Sequence, residues 1–230
     1  MARLSALVEA TAEATGWSSN NVSLYARYAR EAGYIKQAAR GMAAAEMGAS
    51  DGAALLGAMM ASHYAKDTKH TLDDLQETVR TFNGWDNAYF DSIKDFEMIM
   101  RPVPMLIMSD NLERVVTLPK CLDFLAAQHS ILGLLTGLIE RAADGSLARF
   151  ISKGRGTYGT VGLNLVVQRS PLAANLELIA GSWSRGKNSI GQVVGKIDYH
   201  FPRADIWRGD LISLHKVSHY TILRMGKALA

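Results

Sequence analysis

The chain has 230 residues, of which 48% are apolar and 20% are charged, which is typical of a globular protein and excludes a disordered chain. No apolar run reaches the roughly 18 residues of a membrane span, and the N-terminal stretch MARLSALVEATAEATG lacks the uninterrupted apolar segment of a signal peptide. The single cysteine, Cys121, excludes an internal disulfide and a cysteine-rich zinc ribbon, so we expect a cytoplasmic protein that does not engage a membrane.

The net charge of +3 is unevenly distributed along the chain. Residues 1–70 contain 7 basic and 6 acidic side chains, residues 71–150 contain 7 and 12, and residues 151–230 contain 11 and 4. A basic final third indicates either an anionic partner or an acidic surface elsewhere in the same protein. The acidic middle third offers such a surface, so both interpretations stay open.

The N-terminal quarter predicts two helices, a short hairpin and a third helix. Apolar residues recur at helical spacing in the first segment, and Gly16 stops it because glycine readily adopts the left-handed conformation of a helix end. Ser18 and Ser19 then offer an N-cap for the next helix. The predicted elements are a helix over 3–15, a helix over 18–32, a hairpin over 35–47 and a helix from residue 50 to about residue 60.

The rest of the chain predicts an α+β arrangement with a mostly antiparallel sheet. Residues 63–70 are polar and are interpreted as a linker. Thr117 and Pro119 suit the first turn of a long helix. Helices are predicted over 71–82, 117–143 and 220–229. Alternating apolar residues predict strands over 161–167, 176–180, 193–199 and 211–215, a further short strand is predicted over 105–108, and the segment 85–101 fits either helix or strand.

These elements predict two domains. Residues 1–62 would form a winged helix-turn-helix domain, in which the hairpin that follows the second helix is the wing. Residues 63–70 would be the linker, and residues 71–230 would form an α+β domain that dimerises, senses a signal or binds a partner.

A helix-turn-helix needs two short helices held at a fixed angle, with a glycine in the turn and a small residue on the first helix. Gly16 supplies the turn, and Ala12 lies four residues before it. Trp17 follows as an apolar anchor, and Val22 and Tyr25 are expected to face the core. The segment from residue 8 to residue 27 therefore fits the pattern at its small, turn and apolar positions.

The second helix would be the recognition helix, and double-stranded DNA the partner. Short polar side chains at its start suit base edges in the major groove, where asparagine pairs with adenine, and free N–H groups at a helix start favour phosphate. Basic side chains further along suit phosphate contacts. The predicted base-facing positions are Ser18, Ser19, Asn20, Asn21 and Ser23. The predicted phosphate contacts are Arg27, Arg30, Lys36 and Arg40, the last two on the wing.

The segment LVEATAEATGWSSNNVSLYARYAREAGYIKQAARGMAAAEMGASDGAALLGAMMAS resembles the N-terminus of small uncharacterised proteins of alphaproteobacterial phages and prophages. In that group a similar helix-turn-helix leads into the pattern REAGxI, a glycine- and arginine-containing wing and a helix. The resemblance covers roughly residues 3–62, and the closing segment 211–229 is also similar. It implies a DNA-binding transcriptional regulator in a bacterial host cell, although the wing AARGMAAAEMG has less arginine and glycine than the family pattern.

Two other patterns match chemical sites only in part. Gly181 to Lys187 matches most of a phosphate-binding loop, but Asn188 stands where Ser or Thr would hold magnesium, and a strand rather than a helix is predicted next. His215 and His219, with His200, have a spacing that suits a metal on a helix, whereas a strand is predicted there. We therefore predict no catalytic residue, metal or cofactor.

The sequence thus predicts a phage or prophage regulator that dimerises through the 117–143 helix or the sheet, because two half-sites multiply specificity. The alternative is a protein–protein module that inhibits a host or defence protein, with a partner on the C-terminal domain. An enzyme that uses the His200, His215 and His219 region is a third reading.

Overall fold

The structure is a computed structural model that describes residues 3–37, 45–85, 103–107, 114–118, 124, 128–158, 160–169, 172–181, 192–200 and 214–230. Within these ranges the chain is an α+β protein with seven α-helices and two antiparallel sheets. None of the helices in these ranges is both long and apolar enough to cross a membrane.

The three predicted N-terminal helices are confirmed. They are α1 (Leu4–Thr15), α2 (Ser19–Glu31) and α3 (Ala49–Ala61). The segment interpreted as a linker is more structured than expected, because a 3₁₀ turn at Ala65–Asp67 leads directly into α4 (Thr68–Glu77). The residues predicted to open the hairpin are not in a strand, although Ile35 is buried.

The helix predicted over 71–82 is wrong in its second half. Helix α4 ends at Glu77, and β1 (Val79–Trp85) follows at once. Thr78 joins these elements to a later helix, because its Oγ1 donates to the carbonyl oxygen of Leu75 at 2.7 Å and accepts from the amide of Ile131 at 3.0 Å. Pairing with a distant strand, which local periodicity does not record, decides the conformation of β1.

The long helix predicted over 117–143 is also wrong at its start. Residues 103–107 form β2 (Val103–Ile107), which pairs with β3 (Arg114–Leu118), and this pairing includes Thr117. The helix that follows, α5 (Ile131–Ala143), begins after Ser130, whose Oγ accepts from the amide of Gly133 at 3.1 Å. Cys121 lies outside the described residues.

The main sheet has five strands in the described part of the chain. After α6 (Ser146–Tyr158) come β4 (Thr160–Arg169), β5 (Leu172–Gly181), β6 (Gln192–His200), β7 (Leu214–Ser218) and α7 (His219–Leu229). The strand order is β1-β6-β5-β4-β7, and all neighbouring pairs are antiparallel. The predicted alternation in β4 is confirmed, because Val161, Leu163, Leu165 and Val167 are buried.

One hydrophobic cluster joins the N-terminal helices to the elements that follow residue 70. Helix α3 is at its centre and packs against α2, α4, α5 and α7. Helix α1 packs against α7, and Arg224 Nη1 forms an ion pair with Glu13 Oε1 at 2.8 Å. The division into domains at residues 63–70 stays a prediction.

Gly226 allows α7 to approach α5 closely. A Cβ atom at this position would lie 2.7 Å from the carbonyl carbon of Ala142 and would also meet the Ala142 side chain. Backbone atoms cannot move aside as a flexible side chain can. The two helices would therefore have to separate.

We predict that Gly226→Ala destabilises the protein by about 1–3 kcal/mol because it overpacks this helix contact. In an exposed helix the same change would stabilise the protein by about 0.5–1 kcal/mol. The sign of the change in unfolding free energy therefore distinguishes a close helix contact from an open one. Urea denaturation followed by circular dichroism measures the change. Lys227→Ala, on an exposed neighbour in the same helix, should change stability by less than about 0.5 kcal/mol. A more stable Gly226→Ala variant would contradict the close approach.

We also predict that Tyr34, which follows α2, loses its hydroxyl proton at a higher pH than an ordinary tyrosine. Tyr34 donates from its hydroxyl to Asp73 Oδ1 at 2.8 Å. Burial, with the hydrogen bond and the charge of Asp73, raises the pKa of Tyr34 from 10.0 to about 12. The pKa of Tyr34 in the folded state lies above its value in the unfolded state. The stabilisation that this tyrosine gives the folded protein is therefore present below pH 10 and is lost as the pH rises towards 12.

The absorbance titration of the native protein minus that of Tyr34→Phe should therefore show one tyrosinate appearing near pH 12. Tyr64→Phe is the matched control, because that side chain is 67% exposed. A difference curve for Tyr34 centred near pH 10 would show that the contact with Asp73 does not form in solution.

Candidate functional site: the α1–α2 surface

The turn between α1 and α2 is three residues long, from Gly16 to Ser18. Gly16 has a φ of +75°, in the left-handed region that favours glycine, and its amide donates to the carbonyl oxygen of Ala12 at 2.9 Å. Trp17 lies in the same turn and its ring meets the ring of Tyr25 edge-on, with centroids 5.8 Å apart. Gly16 therefore forms the turn as predicted, and Ala12 is buried on α1.

Helix α2 begins at a capped end. Ser18 is its N-cap, and the Ser18 Oγ accepts from the amide of Asn21 at 3.3 Å. The first turn contains no acidic residue, so no carboxylate there offsets the partial positive charge of the helix start. This end of α2 therefore suits an anion electrostatically.

Helix α2 has one buried and one exposed side. Val22, Tyr25, Ala26 and Ala29 face the core, against α1, α3 and α4. Asn20, Ser23, Arg27 and Arg30 follow one another at spacings of three or four residues, so they share the opposite side. All the sequence-predicted residues of this helix and its cap are exposed, namely Ser18, Ser19, Asn20, Asn21, Ser23, Arg27 and Arg30. We call this set the α2 polar face.

Arg27 on the α2 polar face is paired with an acid. Its Nε donates to Glu31 Oε1 at 2.7 Å, and this hydrogen bond and the charge of Glu31 raise the pKa of the Arg27 guanidinium. Both side chains are at least half exposed, at 64% and 50%. Arg27 can therefore exchange Glu31 for another anion at little cost, because exposed ion pairs contribute little to stability.

The two ends of the predicted wing are held together by Asp51. Its side chain is 2% exposed, and it accepts from the amide of Lys36 at 2.9 Å and from the amide of Gly48 at 2.7 Å. The Lys36 ammonium lies 3.6 Å from the same carboxylate and donates to the carbonyl oxygen of Glu46 at 3.3 Å. Residues 38–44, with Arg40, lie outside the described residues, so the wing itself stays a prediction.

Sequence reasoning missed the role of Asp51. The sequence predicts a helix from residue 50, and Asp51 is the third residue of α3, whose N-cap is Gly48. Its bond to Gly48 follows the helix-start pattern that sequence can reveal. Its bond to Lys36 joins positions 15 residues apart, which no local pattern encodes.

The segment that resembles a phosphate-binding loop joins two paired strands. Residues 182–191 lie outside the described residues, but they connect β5 to β6, which pair antiparallel with Ala180 opposite Gln192. A strand therefore follows this segment where a phosphate-binding loop requires a helix. The predicted strand after this segment is confirmed as β6.

The three histidines considered for a metal do not converge. His215 is on β7 and His200 is on β6, three strand spacings away, or about 14 Å. His219 lies at the start of α7, where its Nδ1 accepts from the amide of Leu163 at 3.4 Å. Among the described residues there is no group of three or more histidine, cysteine or acidic side chains that could hold a metal.

We predict that Asp51→Ala destabilises the protein by about 3 kcal/mol, because two amides lose a charged acceptor. Urea denaturation measures this loss, and amide hydrogen exchange tests its location. The amide protons of Lys36 and Gly48 should be protected in the native protein and exchange rapidly in the variant. Glu46→Ala, which removes an exposed carboxylate from the same region, should leave both measurements unchanged. Equal exchange rates of these two amides in Asp51→Ala and in the native protein would show that Asp51 does not hold Lys36 and Gly48 together, an arrangement that we call the Asp51 clamp.

Comparison of the chain with known proteins identifies no relative. No protein-family model, no curated protein and no solved structure matches it. Inferences about its function therefore depend on its own residues and contacts.

Proposed function

We propose that the chain is a sequence-specific DNA-binding transcriptional regulator of phage or prophage origin, which acts as a dimer in the cytoplasm of a bacterial host. Residues 1–62 act as a winged helix-turn-helix, and α2 enters the major groove as the recognition helix. The single observation that carries the proposal is the α2 polar face, which is exposed beside a capped helix start and a glycine turn.

The start of α2 provides the base-reading groups. Asn20, Asn21 and Ser23 are exposed within the first turns of a helix of 13 residues, which is about 20 Å long. An amide side chain can accept from and donate to adenine at the same time, which distinguishes this base in the major groove. Ser18 and Ser19 lie at the end where backbone N–H groups favour a phosphate.

The later part of α2 and the base of the wing provide the phosphate contacts. Arg30 is exposed on the same side as Arg27. The Lys36 side chain is 56% exposed at the edge of the Asp51 clamp. In the proposal Arg27, Arg30, Lys36 and Arg40 hold the DNA backbone and set the register in which the asparagines meet the bases.

A protein-binding module that acts on a host or defence protein is the second candidate. It is favoured by Leu24, an apolar side chain on α2 that is 43% exposed, and by the near balance of 7 basic and 6 acidic residues in the first 70. DNA binding falls steeply between about 50 and 200 mM salt because neutralised phosphates release counterions. An apolar protein contact barely responds to salt.

We predict specific, salt-dependent binding to the DNA that flanks the coding region of this protein, measured by gel-shift titration at about 50 and 200 mM salt. Asn20→Ala/Asn21→Ala should lose about 1–3 kcal/mol for each base pair no longer read. Arg30→Ala should weaken binding to all sequences and reduce the salt slope by about one. Gln76→Ala, which removes an exposed side-chain amide from α4, is the matched control and should bind like the native protein.

Two outcomes would overturn the proposal. One is the absence of binding at low salt, after which capture of a protein partner becomes the test of the second candidate. The other is binding that depends on salt but ignores both the DNA sequence and the Asn20→Ala/Asn21→Ala change, since that requires no more than a basic surface.

A further inference from the structure

A pocket of about 390 Å³ lies between the C-terminal ends of α1 and α3 and the junction of β7 with α7. Its volume is within the range of sites for small molecules. The pocket shares no lining residue with the α2 polar face, but it includes Trp17 of the α1–α2 turn. Because Trp17 contacts Tyr25 of α2, any occupant would touch the turn that orients α2.

One part of the pocket is apolar and adaptable. Trp17 forms its half-buried wall, and Leu56, Met59 and Met60 lie beneath at 0%, 2% and 4% exposed. An indole ring offers a flat face for stacking, and methionine side chains adjust to irregular shapes and make favourable contacts with aromatic rings. These side chains suit a ligand with a flat, apolar body.

The other part of the pocket is polar and includes Lys216. His215 and Lys216 line it, and none of the described residues that line it is acidic. Arg169 lies behind the two methionines, because its Nε donates to the carbonyl oxygen of Met60 at 2.9 Å and its Nη2 to that of Met59 at 3.1 Å. Burial lowers the pKa of His215, and the charges of Arg169 and His63 lower it further. The imidazole of His215 is therefore uncharged at neutral pH, and the positive charge of Lys216 is what favours an anion in the pocket.

We propose that this pocket binds a small organic anion with a flat apolar body, such as an aromatic carboxylate or sulfonate. The body stacks on Trp17 over the buried methionines, and the anionic group faces Lys216. The proposal is independent of DNA binding, because its test measures the ligand on the protein alone.

The test uses two fluorescent probes with the same aromatic body. Anilinonaphthalene sulfonate carries a negative charge, and its parent phenylnaphthylamine does not. The native full chain should bind the sulfonate in a one-to-one complex and more tightly than the parent. Lys216→Glu should weaken sulfonate binding about tenfold by reversing a nearby charge and should change binding of the uncharged parent less than about twofold. Lys227→Glu, an equal charge change at an exposed position on α7 outside the pocket lining, should change neither.

A variant whose new side chain fills the pocket tests whether the probes bind there. Ala14 lines the pocket from α1, so Ala14→Phe should abolish binding of both probes, whereas Ala6→Phe, on an exposed part of α1, should not. Unchanged thermal melting of both variants shows that they remain folded. The proposal fails if the native protein binds neither probe, if it binds the sulfonate no more tightly than the parent, or if folded Ala14→Phe retains binding.

Discussion

Burial of helix α3 on all sides is the constraint on which the rest of the structure depends. Of its 13 residues, 11 are buried, and after Ser50 and Asp51 in its first turn it contains only alanine, glycine, leucine and methionine, which leaves no polar side to face water. A helix of this kind must be covered from every direction. Helices from both ends of the chain provide the cover, and Gly52 and Gly57 allow the leucine side chains of α4, α5 and α7 to come close. The orientation of α2, and with it the proposed DNA-reading surface, follows from this packing.

Elements whose conformation depends on their own periodicity could be predicted from the sequence. Helices α1 and α2 and the alternating strand β4 belong to this class, because one face of each is apolar and the other is not. Elements that depend on pairing with a distant segment could not be predicted in this way. The apolar stripe that follows Thr117 predicts a helix there, yet Thr117 pairs with Pro104 in a strand. Val79 follows a helix, but β1 forms because β6 is available beside it.

The same distinction applies to the candidate site, where the exposure of side chains could be predicted and their partners could not. Exposure of Asn20, Ser23, Arg27 and Arg30 follows from the helical period once Val22 and Tyr25 are assigned to the core. The partners of these side chains do not follow from it. The sequence contains Glu31 four residues after Arg27, a spacing that allows an ion pair, but Asp51 reaches Lys36 through the fold. A recognition surface is therefore easier to predict from sequence than the interactions that hold its flanking segment in place.

The pairing of α1 with α7 has a consequence for synthesis of the protein. Thr221 and Ala14, which meet in this contact, are 207 positions apart in the chain. At about 5–20 residues per second, the ribosome would release α1 and α2 roughly 10–40 s before α7. During that interval the face of α1 that packs on α7 remains open to chaperones and to solvent. The nascent N-terminal unit therefore cannot reach its final packing until the segment that contains α7 has been made.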